Sequence, residues 1–124
     1  MREVIVTDPE TGGRKAVKRE RFDLIPVWAL EEIARVFGWG ALKYDDDNWR
    51  RGYSWRLSFG AMMRHAWAFW RGEDLDQESG LHHLAHAAWH CMVLMTYWKR
   101  GLGKDDRADA NRPVSVDLGG VVRS

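Results

Sequence analysis

The sequence predicts an all-α protein, a helical bundle preceded by a short N-terminal hairpin or extended arm. One stretch carries apolar residues at three- and four-residue spacing, which places their side chains on one face of a helix, and two further stretches are apolar on most sides. Glycine and polar turn formers separate these stretches, and no internal repeat or heptad pattern is present. With 124 residues the chain is long enough for one domain with a modest core. We expect an arm at 1–25, a helical domain at 26–100 and a tail at 101–124.

The arm and the first helix are predicted from local signals. EVIVT alternates weakly and is followed by the turn sequence DPETGG, which favours a short hairpin or an extended arm. The first helix, about 27–44, follows Pro26, because proline is tolerated in a first helical turn. On its surface we expect Glu31 to pair with Arg35 one turn later.

Two further stretches predict helices that are more apolar than the first. The second, about 55–71, is apolar on nearly all sides and has Ser54 as a candidate cap. The third, about 80–100, has Ser79 as its candidate cap and carries three histidines at i, i+3 and i+7. Such apolar helices on a small domain leave large faces to cover, so we expect a homodimer or a homotetramer.

Composition excludes several classes of partner. The formal charge of +1 argues against a protein that binds nucleic acid mainly through its phosphates, because such binding needs a clear excess of basic residues. The single cysteine, Cys91, allows no internal disulfide, and the N-terminus resembles no signal peptide, so a cytoplasmic location is expected. No apolar run approaches the roughly 20 residues that span a bilayer, so no membrane association is expected.

All five histidines fall between positions 65 and 90, and the segment between the first and the others is acidic. Burying imidazoles and carboxylates among apolar residues is costly unless they pair with each other or with a metal ion. Taken singly, each histidine is explained equally well as a hydrogen-bonded core residue and as a metal ligand. As a group they predict a site for a divalent cation, with Mg²⁺ or Mn²⁺ as the expected ion. The candidate metal ligands are His65, Glu73, Asp76, His83 and His86.

Two groups of polar residues predict nucleotide binding. Arg64 is either half of a buried ion pair or a two-pronged ligand for phosphate. Lys43 either favours the negative end of its helix or binds phosphate, and the loop after it supplies an amide and an indole for a base. The candidate nucleotide-binding residues are Lys43, Asn48, Trp49, Arg64 and His90. The candidate catalytic residues are Glu73, Glu78 and His83, and the sequence leaves open which group takes a proton from water.

Four segments together resemble a known family. They are RFDLIP (21–26), GWGALKYDDDNWRRGYSW (38–55), RHAWAFWRGEDLDQESG (64–80) and HHLAHAAWH (82–90). The ordered motifs K-Y-x3-N-W, R-H, G-E-D-x-D-x-E-x-G and H-L-A-H resemble those of the phage and bacterial dATP/dGTP diphosphohydrolases of the MazZ type, which are MazG-like in character. The resemblance covers about 7–98.

The resemblance implies the all-α nucleotide pyrophosphohydrolase fold and a metal-dependent hydrolysis of purine deoxynucleoside triphosphates to monophosphate and pyrophosphate. In phages that replace adenine with 2-aminoadenine, similar enzymes supply dGMP and remove dATP. The sequence departs from the MazG-like pattern E-E-x-x-E, because Arg35 stands where the third acid is expected. His83-x-x-His86 also stands where E-x-x-D is expected, which points to a site richer in histidine.

Two other functions remain open from the sequence. A histidine/aspartate-type metal phosphohydrolase would release inorganic phosphate or triphosphate, but the chain contains no adjacent His-Asp pair. A non-catalytic nucleotide-binding or dimerisation module would use the histidines as hydrogen-bonding groups at an interface.

Overall fold

The computed structural model describes residues 4–108 and the backbone of two two-residue strands beyond them. The described chain is mostly helical, and a two-stranded antiparallel hairpin precedes the helices, so the predicted fold class is confirmed. Within this described part, no helix has the length and apolar character needed to cross a membrane. Of the expected tail at 101–124, residues 109–114, 117–121 and 124 lie outside the described residues.

The hairpin consists of β1 (Val4–Thr7) and β2 (Arg14–Val17), with Val4 opposite Val17. Its turn is held by the Asp8 carboxylate, which accepts hydrogen bonds from the backbone N–H groups of Glu10 and Thr11 at 2.8 and 2.9 Å. All four β1 side chains are exposed.

Three helices form the body of the protein: α1 (Val27–Lys43), α2 (Trp55–Trp70) and α3 (His83–Arg100). Helix α3 packs against both α1 and α2. The core at this junction contains Val93 and Tyr97, neither of which is exposed to solvent. Burial of these apolar side chains stabilises the helix packing. Partly buried residues that pack against the core are Trp49, Tyr53, Trp89, Leu94 and Leu102.

Two local predictions were wrong. Helix α3 begins at His83 and is capped by His82, whose Nδ1 accepts a hydrogen bond from the Leu84 N–H at 3.0 Å, so Ser79 is not its cap. In α1, Arg35 donates to Glu32 at 2.5 Å, and Glu32 is buried. The expected pair between Glu31 and Arg35 is therefore replaced by an i, i+3 pair.

The residues that follow α3 return to the start of α2. Trp55 donates from its indole to the Leu102 carbonyl at 2.8 Å, and its backbone N–H donates to the Lys104 carbonyl at 3.0 Å. Gly103 has φ +69, and a Cβ there would clash with the Tyr53 carbonyl. Glycine is needed at this crossing because any side chain would push the two segments apart.

Candidate metal and nucleotide site

The acidic connector between α2 and α3 is folded by its own backbone hydrogen bonds. The Asp76 N–H donates to the Leu81 carbonyl at 2.8 Å, and the His83 N–H donates to the Asp74 carbonyl at 2.9 Å. Leu75 and His82 form an isolated β-bridge across the same turn. This fold carries Asp76 back to the side chains at the start of α3.

Three of the five predicted metal ligands meet at this point. One ligand atom from each of His65, Asp76 and His83 lies within 4.8 Å of the others. The two imidazoles come from different helices, and their Nδ1 atoms are 2.8 Å apart. His83 is buried, and its Nε2 has no hydrogen-bond partner among the described residues. Two imidazoles and a carboxylate that converge in this way can hold a divalent cation.

The other two predicted ligands lie next to this group and contact its members. The Glu73 carboxylate lies 3.4 Å from Nε2 of His83. His86 is bonded through Nε2 to the Ser79 hydroxyl at 2.7 Å, and its ring stacks on that of His65 with centroids 4.5 Å apart. Both residues are placed to orient the ligands beside them.

The surroundings favour neutral imidazoles at His65 and His86 and a charged carboxylate at Asp76. Burial, followed by the neighbouring imidazole of His86, lowers the pKa of His65 to about 4. Burial also lowers the pKa of His86. For Asp76, burial alone would raise the pKa, but hydrogen bonds from Ser79 outweigh it and the pKa lies below its ordinary value. Neutral imidazoles and an ionised carboxylate are the protonation states that bind metal ions.

A cavity of about 490 Å³ extends from this group between α1, α2 and α3. At the end near Asp76, the Lys43 ammonium contacts the Glu78 carboxylate at 2.9 Å and lies 5.0 Å from the centroid of the Trp39 ring. The guanidinium residue Arg64 also lines the cavity and has no ion pair in the part of the chain that the structure describes. This end therefore combines a candidate metal group with two cationic side chains.

A cluster of aromatic rings lines the cavity next to His90, and we call this part the aromatic end. Phe37 packs edge-on against Trp49 at 6.2 Å between centroids, and it packs at a tilted angle against Trp89 at 5.8 Å. Asn48 lies beside Trp49 in the loop between α1 and α2. A hydrogen bond connects that loop to α3, since the buried Tyr97 hydroxyl donates to the Trp49 carbonyl at 2.5 Å.

Nine of the eleven different candidate residues named from the sequence line this one cavity. Glu73 and His83 do not line it, but His83 contacts the cavity-lining His65, and Glu73 contacts His83. The nine that line the cavity are Lys43, Asn48, Trp49, Arg64, His65, Asp76, Glu78, His86 and His90.

Sequence reasoning missed several residues of the site. Ser58 is buried on α2, where it bonds to Tyr53 at 2.5 Å and to Nδ1 of His90 at 2.9 Å. Its spacing of seven residues from His65 puts both on one face of α2, and this was the available signal. Ser79, expected only as a helix cap, bonds both Asp76 and His86.

The chain was compared with known proteins. A protein of Salmonella phage PMBT28 named dATP/dGTP diphosphohydrolase is 38% identical to it over 77 residues, which are 62% of this chain and 26% of the phage protein. The match thus spans about a quarter of that relative's length. No solved structure matches. A family model described as dATP/dGTP diphosphohydrolase, N-terminal, matches residues 9–107. The chain therefore belongs to the family of dATP/dGTP diphosphohydrolase N-terminal domains.

Proposed function

We propose that this chain hydrolyses purine deoxynucleoside triphosphates, dGTP, dATP or both, to the monophosphate and pyrophosphate. The observation that carries the proposal is that one cavity joins a group able to hold a metal ion to two cationic side chains and an aromatic wall. A nucleoside triphosphate has matching parts, namely metal-binding phosphates and an aromatic base. The printed name of the phage relative agrees with this substrate class.

The residues of the candidate metal group fit Mn²⁺ better than Mg²⁺. Imidazole nitrogens are poor ligands for Mg²⁺, which prefers oxygen, whereas Mn²⁺ accepts both. The buried Nε2 of His83 makes no hydrogen bond within the described part of the chain, and its polar neighbour is the Glu73 carboxylate at 3.4 Å, which supports a role for this cluster in ligand binding. We assign His65, Asp76 and His83 as ligands, with Glu73 and His86 beside them. When bound, the cation supplies positive charge that stabilises the phosphate oxygens in the transition state.

Lys43 and Arg64 bind the phosphates in this proposal. Lys43 forms an ion pair with Glu78, and the hydrogen bond between them raises the pKa of the Lys43 ammonium. A triphosphate carries more negative charge than one carboxylate, so it competes for Lys43 and releases Glu78. Arg64 offers a planar fork of donors that matches phosphate oxygens.

Glu78, once released from Lys43, is the residue that we assign to accept the proton of the attacking water. Its side chain is exposed at the phosphate end of the cavity, where water has access. A carboxylate within hydrogen-bond reach of the water can act as general base. The reaction then forms a bond from the water oxygen to the α-phosphorus and breaks the bond to the leaving pyrophosphate.

The aromatic end of the cavity would bind the base. Trp49 offers a ring for stacking, and Asn48 offers an amide that can donate to and accept from a base edge. We extend the proposal to assembly as a homodimer or homotetramer, because many large apolar side chains are exposed on the helices. A role in phage nucleotide pools, including pools that contain 2-aminoadenine, is consistent with this substrate class.

The test is incubation with a panel of ribo- and deoxynucleoside triphosphates with Mn²⁺ or Mg²⁺, with products separated by ion exchange. The proposal expects purine deoxynucleoside monophosphate and pyrophosphate in equal amounts, and no product when EDTA is present. Diphosphate plus phosphate, or nucleoside plus triphosphate, would indicate the histidine/aspartate-type hydrolase. Binding of nucleotide without turnover would indicate a non-catalytic module.

A further inference from the structure

Three side chains are joined by hydrogen bonds from α2 to the wall of the cavity. Ser58, with no solvent exposure, contacts the Tyr53 hydroxyl at 2.5 Å and Nδ1 of His90 at 2.9 Å. These are the two hydrogen-bond partners of Ser58 in the described part of the chain. His90 and Tyr53 both line the cavity, and Ser58 lies behind them.

The direction of each hydrogen bond among these three side chains follows from which groups can donate. A serine hydroxyl has one hydrogen, so Ser58 can donate either to Tyr53 or to His90. A phenol is the more acidic hydroxyl and therefore the better donor. With Tyr53 donating to Ser58, the hydrogen of Ser58 is directed to Nδ1 of His90, which must then accept. Burial supports this arrangement, because it lowers the pKa of His90 to about 4 and leaves the ring neutral near pH 7.

We propose that Tyr53 and Ser58 hold His90 in the tautomer that carries its hydrogen on Nε2. In this tautomer His90 is a hydrogen-bond donor to a ligand in the cavity, and it is neither a proton acceptor nor a metal ligand. His90 therefore has a different role from the other two histidines on its face of α3, although the three lie at regular spacing. Ser58 and Tyr53 are positioning residues that act through His90.

The place of His90 in the cavity indicates what accepts its hydrogen bond. Its ring lies 6.2 Å from that of His65, at the metal end, and 4.8 Å from that of Trp89, at the aromatic end. On the proposed function, on which this step rests, that position corresponds to the junction of triphosphate and deoxyribose. The acceptor is therefore an oxygen of the substrate at this junction.

The tautomer can be measured without any activity. Long-range ¹H–¹⁵N spectra of the metal-free protein at pH 7 distinguish a protonated Nε2 from a protonated Nδ1, and loss of one set of signals in His90→Gln assigns His90. We expect the Nε2–H pattern in the wild type and a mixture of tautomers in Ser58→Ala. Ser54→Ala is the matched control, because Ser54 precedes the same helix without a side-chain cap hydrogen bond, and it should leave the pattern unchanged.

If Ser58→Ala does not fold, Tyr53→Phe takes its place, since it keeps Ser58 but removes the phenol that directs its hydrogen. A mixture of tautomers is again expected. An Nδ1–H pattern in the wild type, or an unchanged pattern in the folded variants, would overturn the proposal.

Kinetics with dGTP test the donor role. A glutamine amide places an N–H near the position of Nε2, whereas an asparagine amide places one near Nδ1. We expect His90→Gln to keep most of kcat/KM and His90→Asn to lose about ten- to hundredfold, the loss typical of one hydrogen bond to a charged oxygen. Equal losses in both variants would refute the donor role. If the wild type hydrolyses no nucleotide, the proposed function fails, while the spectra still decide the tautomer.

Discussion

Lys43 ends α1 with its ammonium 2.9 Å from the Glu78 carboxylate, a contact across 35 positions of sequence. Both groups are substantially exposed, so the pair itself contributes little to stability. We expect Lys43→Met to raise KM for dGTP about tenfold, the effect of about 1.4 kcal/mol of lost binding, with a smaller change in kcat. Steady-state kinetics measure this. Lys99→Met, at the exposed end of α3, is the control, and an unchanged KM in Lys43→Met would contradict the assignment.

Glu73 is expected to orient His83, since its carboxylate lies 3.4 Å from the buried Nε2. Glu73→Gln keeps the shape and removes the charge, so the affinity for Mn²⁺ should fall about 10- to 100-fold, as it does for other partners of metal-binding histidines. The dependence of activity on Mn²⁺ concentration measures the change. Asp74→Asn, at the exposed neighbouring position, should behave as the wild type. An equal response of the two variants would remove Glu73 from the site.

At the residue scale, the sequence indicated Arg64 and the cavity-lining histidines because they are the polar residues of otherwise apolar helices. The other predicted polar groups of the cavity lie at the end of α1 and in the segments between helices. The one signal for Ser58 was its seven-residue spacing from His65, and this spacing does not predict a role for a single serine until its partners are known. Glu32 is buried, although its position on α1 is equally compatible with an exposed side chain. Packing of α1 against α3 decides which side of α1 is buried, and the sequence of α1 alone does not contain that information.

Tyr97 connects two elements, because its buried hydroxyl on α3 donates to the Trp49 carbonyl in the loop before α2. Tyr97→Phe should lower the free energy of unfolding by about 1–3 kcal/mol, since it leaves that carbonyl without its donor. Urea unfolding measures the change. Tyr44→Phe is the control at an exposed position. No loss of stability in Tyr97→Phe would show that the loop is held by other contacts.

The helices themselves were predictable to within a few residues, except at the start of α3. Ser79 has the residue type of a cap, but its hydroxyl bonds to His86 and its backbone N–H to Asp76. The helix consequently starts at His83, after the turn that carries Asp76 to the histidines. The hydrogen bonds of Ser79 to Asp76 and His86 replace its local capping role here.

For the whole molecule, the exposed apolar side chains predict self-association. Phe59, Met95 and Trp98 lie together on the outer side of α2 and α3 and are 54%, 62% and 68% exposed. Monomeric proteins rarely leave large apolar patches uncovered. Light scattering at micromolar concentration should give a dimer or tetramer, and Trp98→Arg should shift it to smaller species. Lys99→Arg, next in sequence and also exposed, is the control. A stable wild-type monomer would refute the prediction.

The central claim is that His65, Asp76 and His83 together hold a divalent cation at one end of the nucleotide cavity. Titration of the metal-free protein with Mn²⁺, followed by the electron paramagnetic resonance signal of the free ion, tests this directly. The account predicts one tightly bound Mn²⁺ per chain in the wild type and in Asp45→Asn, whose carboxylate lines the same cavity outside the metal group. It predicts at least about tenfold weaker binding in Asp76→Asn. Equal binding in Asp76→Asn and the wild type would contradict it.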